Sequence, residues 1–350
     1  MAESDFFVSI CIPVRNAQHC LRQTLDSLVH QTYPNREIIV SDNVSDDGTP
    51  QIVRQYMEKY PIRFEPIQGP VLIGEYNFNR CISLARGEAV CVYHSDDIYE
   101  PDMVARCAET LKAHPEVGAV FTTARVINAQ GFTVSYYRLP AELKRLNRMI
   151  FTFDEIFEAV LKNENSFLVC PSVMVRKSVY DRLGAWEYDK YYNASDLALW
   201  FKIARHYPIA IIDEPLIRYR VSVSQESQRL TRSRTGRDYY LRVLDDYLSL
   251  IKGHRYEKYY QASVMKDKVY RALNLSAQSR IPESRTLVKE ALRDYLDRFK
   301  DLWLVPRASL AFIVAVFLVI LNRLPFQQWR LFFHKSVMRF VVLKKRITSY

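Results

Sequence analysis

Asp96 and Asp97 close the run Val90-Cys91-Val92-Tyr93-His94-Ser95-Asp96-Asp97, an apolar, strand-like stretch that ends in two adjacent carboxylates. Adjacent like charges repel and are costly to desolvate, so a core has no use for them. A hard divalent cation bridging to phosphate oxygens resolves the conflict. Successive residues of an extended chain point to opposite sides, so one Asp can hold a cation while its neighbour reaches a sugar hydroxyl. A solvated acidic turn satisfies the same residues, and on this pair alone both readings stand.

The elements that must position the pair are legible from periodicity. Phe7 to Val14 is a strand-like run closed by Pro13, and Leu21, Leu25, Leu28 and Val29 recur at helical spacing before Tyr33-Pro34. Glu37 to Ser41 reads as a strand ending at Asp42-Asn43. The turn Asp46-Asp47-Gly48-Thr49, whose carboxylates read as caps, leads into a helix over Pro50 to Tyr60. A strand at Ile62 to Pro66, a helix at Tyr76 to Ala85 and a strand at Ala89 to Tyr93 complete a β-α-β-α-β alternation, which predicts a parallel sheet covered by helices. Ligands of such sheets sit beyond the carboxyl ends of the strands. Pro13 to Asn16, Asp42-Asn43 and Asp96-Asp97 each fall at such an end, so the three clusters should converge.

Farther on, a helix from Asp102 to His114, a strand at Val117 to Thr122, a helix at Phe151 to Leu161 and a strand at Val169 to Val175 are expected. Leu199, Trp200, Ile203 and Ala204 mark another helix, and Ile209 to Asp213 and Ile217 to Val221 two last strands. Residues 225 to 301 are dense in charge and tyrosine and read as two to four helices.

Charge divides the chain sharply. The formal net charge is +10, yet from Leu302 onward there are eight Lys/Arg and no Asp or Glu, so the first 301 residues carry a balance of only +2. The basicity belongs to the tail. Six cysteines without CxxC spacing and an acidic, polar amino terminus point to a reducing cytosolic location, and they disfavour zinc or disulfide frameworks. No GxGxxG follows the first strand and no Walker-type loop occurs, which removes the main support for dinucleotide oxidoreductases and P-loop enzymes. Tyrosine and arginine interleave over residues 234 to 260, but acidic residues among them argue against nucleic-acid binding.

Four motifs in order resemble the inverting glycosyltransferases of family 2, which have the GT-A fold, over about residues 6 to 225. They are Val8-Ser9-Ile10-Cys11-Ile12-Pro13-Val14-Arg15-Asn16, then Glu37 to Thr49 with Asp42, then Ala85-Arg86-Gly87-Glu88 leading to Ser95-Asp96-Asp97, and finally Ala194-Ser195-Asp196 before Leu199-Trp200. The resemblance implies that Asp97 coordinates Mg²⁺ or Mn²⁺ on the donor diphosphate, with Asp96 at the ribose or sugar. It places Pro13, Arg15, Asn16, Asp42 and Asn79 along a nucleotide sugar, a UDP-sugar by family bias, with Asp42 at the base. Asp196 would be the general base. Ser195 is placed to cap the helix that begins there, which sets Asp196 in its first turn, where the dipole favours an ionised carboxylate. A capping role alone also satisfies Asp196. The chain departs from the family with Ser195 where Glu is frequent and Ser222 where many members carry His. His94 reads as a packed strand-end residue rather than a ligand, and Arg218 and Arg220 either face the diphosphate or are solvated.

Ala308 to Leu321 is apolar apart from Ser309. As a helix at 1.5 Å per residue it reaches roughly 21 Å, against a hydrocarbon core of about 30 Å. Phe326, Trp329, Phe333, Val337 and Phe340 follow at helical spacing among basic residues. A single span would export the basic tail, against the positive-inside tendency. In-plane or re-entrant helices held on anionic headgroups, or a core helix packed on residues 225 to 301, are the two readings. The expected organisation is therefore a GT-A α/β domain over residues 1–225, a helical region over 226–301 and membrane-associating helices with a basic tail over 302–350. The expected activity is metal-dependent transfer of a sugar to a lipid-linked or membrane-bound glycan acceptor at the cytoplasmic face of the inner membrane. Competing readings are a non-catalytic nucleotide-sugar-binding membrane scaffold and a sugar-nucleotide pyrophosphorylase, whose glycine-rich phosphate loop is missing after the first strand.

Overall fold

The computed structural model describes residues 6–73, 76–221, 233–323 and 327–347. They fall into two units, one running to Ser222 and the other starting at Val223.

The first unit is built on a sheet of ten strands. Strands β1 (Val8–Val14), β2 (Arg36–Asp42), β3 (Ile62–Pro66) and β4 (Ala89–Val92) alternate with helices α1 (Leu21–Val29), α2 (Thr49–Met57) and α3 (Tyr76–Leu84). β1 pairs in parallel with β2 and β4, and β2 with β3, as the alternation predicts. All seven residues of β1 are buried, which is why that strand reads as an apolar run rather than an alternation.

The chain continues through β5 (Ile98–Tyr99), α4 (Met103–Ala113), β6 (Ala119–Ile127), β7 (Thr133–Tyr137), α5 (Ala141–Lys144), β8 (Ile150–Phe151), α6 (Phe153–Asn163), β9 (Met174–Arg176), α7 (Lys177–Leu183), α8 (Tyr188–Tyr191), α9 (Ser195–Ala204) and β10 (Ile209–Arg220). The order across the sheet is β3-β2-β1-β4-β9-β6-β10-β5, with β7 beside β6 and β8 beside β10. β9 runs antiparallel to both β4 and β6, which aligns β6 and its parallel partner β10 with the first four strands. Val14, Asp42, Val92 and Arg220 therefore end strands on one edge.

Two expectations need correction here. Val169 to Val175 is not one strand: Cys170–Ser172 forms a 3₁₀ turn around Pro171, which has no N–H for a ladder, and pairing starts only at Met174. Ile209 to Asp213 and Ile217 to Val221 are not two strands either. They are the single β10, with register shifts between Ile212, Pro215 and Ile217 that absorb the proline at a bulge.

The second unit is helical, with Tyr239–Asp245, Leu248–Ile251, Glu257–Ala277, Ile281–Asp297, Phe299–Leu302, Pro306–Leu321 and Gln327–Ile347. Among the described residues five helices, rather than two to four, lie between residues 234 and 302, because the Tyr240 to Ile251 pattern breaks after Asp245. One core takes in Met265, Val269, Leu273, Val288, Leu302, Val314 and Leu318, so helices on both sides of residue 302 pack together. The helix Pro306–Leu321 packs along one side into that core, as the core-helix reading expects. Its Ala308, Ala311, Val314, Ala315 and Leu318 are buried in that core, while Ile313, Val316, Phe317 and Ile320 are exposed. No helix among the described residues is long and apolar enough to cross a membrane.

Candidate active site

The segment after β4 is shaped by a stack and a short ladder. Tyr93 and Tyr99 stack with ring centroids 4.2 Å apart, so the chain between them must loop out over the edge of the sheet. β5 then pairs antiparallel with β10, Ile98 opposite Arg218 and Tyr99 opposite Ile217. Carrying that register onward sets Arg220 beside Asp96 and Asp97. The Arg220 backbone N–H donates to Asp97 Oδ1 at 2.7 Å, and its guanidinium donates to the Asp96 carbonyl at 2.8 Å. From the other side the Thr24 hydroxyl of α1 lies 2.9 Å from the Ser95 carbonyl and 2.7 Å from that of Asp97.

Asp97 is wholly buried. Its Oδ2 has no hydrogen-bond partner among the described residues and lies 3.8 Å from His94 Nδ1. Burial pushes the Asp97 carboxyl well above the usual carboxylate range and the charge of Asp96 adds to this, while the Arg220 N–H and guanidinium pull it down. Candidate ligand atoms of His94, Asp96 and Asp97 all fall within 4.8 Å of one another. A buried carboxylate oxygen lacking a protein donor, beside a second carboxylate and an imidazole, fits a divalent cation better than it fits a solvated turn.

His94 does pack, its ring 5.6 Å from that of Phe78, but the packing turns it toward Asp97 rather than away. Sequence reasoning set it aside because a lone strand-end His gives no signal of what the following loop does. Arg220 is buried, whereas Arg218 stays partly exposed. Arg218 pairs with Glu100 at 2.8 Å, and the Arg220 guanidinium also donates to the Asn128 and Ala129 carbonyls and to Gln23 Oε1. Ser222 lies outside the described residues.

The ends of β1 and β2 are joined through Ser45. Its hydroxyl donates to Asp42 Oδ1 and accepts from the Asn16 N–H at 2.9 Å, while Asn16 Oδ1 accepts from the Asp46 N–H at 3.0 Å. Asn16 and Val44 both hold positive φ in these tight turns. Asp42 is buried, Pro13 lies within β1 opposite Ser41, and Arg15 is exposed. Asp47 behaves as the expected turn residue, accepting from the Thr49 and Gln18 N–H groups.

Asn79 is engaged elsewhere. Its amide makes a reciprocal pair with the Trp186 backbone, at 2.9 and 3.0 Å, so it fixes that segment. The α3 residues that do reach the end of β2 are Asn77 and Arg80, both bonded to Ser41, at i−2 and i+1 from Asn79 on the helix. The Arg86-Gly87-Glu88 motif lies at the amino end of β1, where the Arg86 and Gly87 N–H groups donate to Ser9 Oγ. It positions strands and takes no part in the site.

Asp196 lies in the first turn of α9, as expected, but Ser195 does not cap that helix. The 3₁₀ turn Tyr192–Ala194 runs straight into α9, so Ser195 is already helical, and its buried hydroxyl has no partner among the described residues. Burial pushes the half-buried Asp196 carboxyl up to about 6, against backbone donation from Leu197 N–H at 2.7 Å. It is still mostly ionised at neutral pH, and more basic than an ordinary carboxylate. Asp196 is not part of the His94 group. One turn along α9, Trp200 packs on Trp186 at 5.8 Å, Trp186 on Phe78 at 5.5 Å, and Phe78 on His94, an aromatic series between the two.

The family model described as glycosyl transferase family 2 matches residues 9–184. Among curated relatives, an uncharacterized protein Rv1520 of Mycobacterium tuberculosis is 34% identical over 119 residues, 33% of this chain and 34% of that protein. The probable glycosyltransferase YdaM of Bacillus subtilis is 28% identical over 187 residues, 51% of this chain and 43% of YdaM. The chain thus spans between a third and a half of these two relatives. Among solved structures, S. aureus TarS 1-349 in complex with UDP-GlcNAc superposes with a TM-score of 0.57 at 15% identity, covering 89% of each chain. At that identity the likeness shows the fold alone.

Proposed function

Because the chain belongs to glycosyltransferase family 2, we propose that it transfers a sugar, with inversion, from a nucleotide-diphosphate sugar to a hydroxyl of a lipid-linked or membrane-bound glycan. A UDP-sugar is the favoured donor. The observation that carries the reading is Asp97: a wholly buried carboxylate whose Oδ2 lacks a donor among the described residues and faces His94 and Asp96 at the carboxyl edge of a largely parallel sheet. A Mg²⁺ or Mn²⁺ ion bound there would offset the charge developing on the departing diphosphate.

The chain's own residues do the rest. Asp42, Asn16 and Pro13, at the joined ends of β1 and β2, line the nucleoside side, with Arg15 exposed beside them. Asp96 addresses the sugar. Asp196 takes the proton of the acceptor hydroxyl as it attacks, a task suited to a carboxyl near 6.

The acceptor side rests on the second unit. Trp303, Leu304, Ile313, Phe317, Ile320 and Phe332 are exposed, and no acidic residue occurs from Leu302 onward. Exposed aromatic and aliphatic side chains with basic residues among them suit a peripheral seat on an anionic membrane face, the cytoplasmic face of the inner membrane in this reading.

The test is a panel of nucleotide sugars with Mn²⁺ or Mg²⁺, following nucleotide diphosphate release with and without a lipid-linked acceptor. Release should appear with at least one donor, rise with acceptor and disappear in Asp97→Ala. Equal release by wild type and Asp97→Ala across the whole panel would overturn the proposal.

A further inference from the structure

Resting on the metal reading just given, we infer that His94 is itself a ligand of the cation, so that this chain offers one nitrogen and two carboxylates rather than oxygen alone. Three observations on separate atoms support it. His94 Nδ1 lies 3.8 Å from Asp97 Oδ2, the one oxygen of that wholly buried carboxylate without a donor among the described residues. Asp96 brings its carboxylate within the same 4.8 Å group. The imidazole is held on one side by the Phe78 ring at 5.6 Å, and its backbone lies in the loop spanned by the Tyr93–Tyr99 stack.

Ligand atoms held at about 2.0–2.6 Å from one ion must lie within roughly 4–5 Å of each other, which these atoms already do. No protein acceptor or donor among the described residues satisfies the buried His94 Nε2, so the ring is not anchored by a hydrogen bond that would fix it in another role. A neutral imidazole can ligate through a ring nitrogen, and Nδ1 is the one that lies 3.8 Å from Asp97 Oδ2. The consequence is selectivity. Carboxylate, carbonyl and water suit Mg²⁺, Ca²⁺ and Mn²⁺ alike, whereas an imidazole adds a donor better matched to transition metals than to Mg²⁺, which demands oxygen and water. The site should therefore prefer Mn²⁺ to Mg²⁺ more strongly than an all-oxygen site would.

The test is pulsed electron paramagnetic resonance of Mn²⁺ bound to the full chain, with UDP and in parallel with GDP, on protein carrying ordinary or ¹⁵N-labelled histidine. A ligating His94 gives a nitrogen coupling that changes with the label and is absent from His94→Gln. Mn²⁺ affinity should fall roughly tenfold or more in that variant, a loss at least as large as that of an outer-shell partner. Mn²⁺ retained through Asp97 but without a histidine coupling overturns the inference and leaves the metal reading standing. No Mn²⁺ retention with either nucleotide overturns both. The coupling is read on wild-type protein, so the result does not depend on how well the variant folds.

Discussion

The Arg220 backbone N–H donates to Asp97 Oδ1 across 123 residues of sequence, and this one bond decides which oxygen of the buried carboxylate is left for a ligand. Oδ1 is spent on the sheet. Oδ2 is turned toward His94. The same residue then uses its guanidinium to hold the Asp96, Asn128 and Ala129 carbonyls and Gln23, so the loop carrying the aspartates is clamped at the end of β10.

Arg220→Ala should therefore cost about 2–4 kcal/mol, because it removes four part-buried hydrogen bonds made by a buried guanidinium. Arg220→Lys should recover only part of this, since a single ammonium cannot reproduce the forked geometry. Urea unfolding followed by circular dichroism reads both, and a loss under 1 kcal/mol in the alanine variant would contradict the clamp.

Gly87→Ala should be strongly destabilising for a steric reason. A Cβ there would meet the Ser9 nitrogen at 2.6 Å, the Phe7 carbonyl at 2.7 Å and the Ala89 carbonyl at 2.8 Å, all backbone atoms that cannot rotate aside. A loss of about 2–4 kcal/mol is expected. Gly236→Ala, where nothing lies within 4 Å, is the control and should stay within about 0.5 kcal/mol.

Asp196 should set the acid limb of the rate profile. With its carboxyl at about 6, kcat/KM should rise with pH through that value, and Asp196→Asn should lose roughly 10²–10⁴ in rate. Stability should move the opposite way. The folded carboxyl binds its proton more tightly than the unfolded one, so between about pH 4 and pH 6 the native state holds more protons and loses stability as pH rises. Asp196→Asn should thus be more stable than wild type by about 2 kcal/mol above pH 6, discounted for partial exposure, and equal to it below pH 4. A variant less stable than wild type at pH 7 would show that the carboxylate is structural.

Membrane attachment should fail without loss of the fold when charge is placed on the exposed face of Pro306–Leu321. Ile313→Glu with Phe317→Glu alters residues outside the core that Val314 and Leu318 occupy. Co-sedimentation with anionic vesicles should be lost in the double variant and weakened by salt in wild type, with each basic residue near the surface contributing about 1 kcal/mol. Deleting residues 302–350 is a poorer test, since Leu302, Val314 and Leu318 belong to the core of the helical unit. Binding equal to wild type in a double variant that remains folded would sink the proposal.

Sequence by itself determined what short-range pattern can encode. The apolar run of β1, the helical spacing of Leu21, Leu25 and Leu28, and the carboxylates at strand ends depend only on residues a few positions apart, and these gave the alternating architecture and the edge where the candidate residues gather. The aspartate pair was visible for the same reason: two adjacent acids after a buried strand are anomalous wherever the strand goes. Tertiary structure alone decided the partners. Arg220 reaches Asp97 only because β10 returns antiparallel to β5, and His94 faces Asp97 only because Tyr93 stacks on Tyr99 and bends the loop between them. The Trp186 backbone as partner of Asn79, and the absence of a cap from Ser195, follow on the same ground, since a position on a helix does not say which neighbour the folded chain will bring to it. Hydrogen bonds and burial at separations of tens to hundreds of residues are properties of the closed sheet, and local sequence does not encode them.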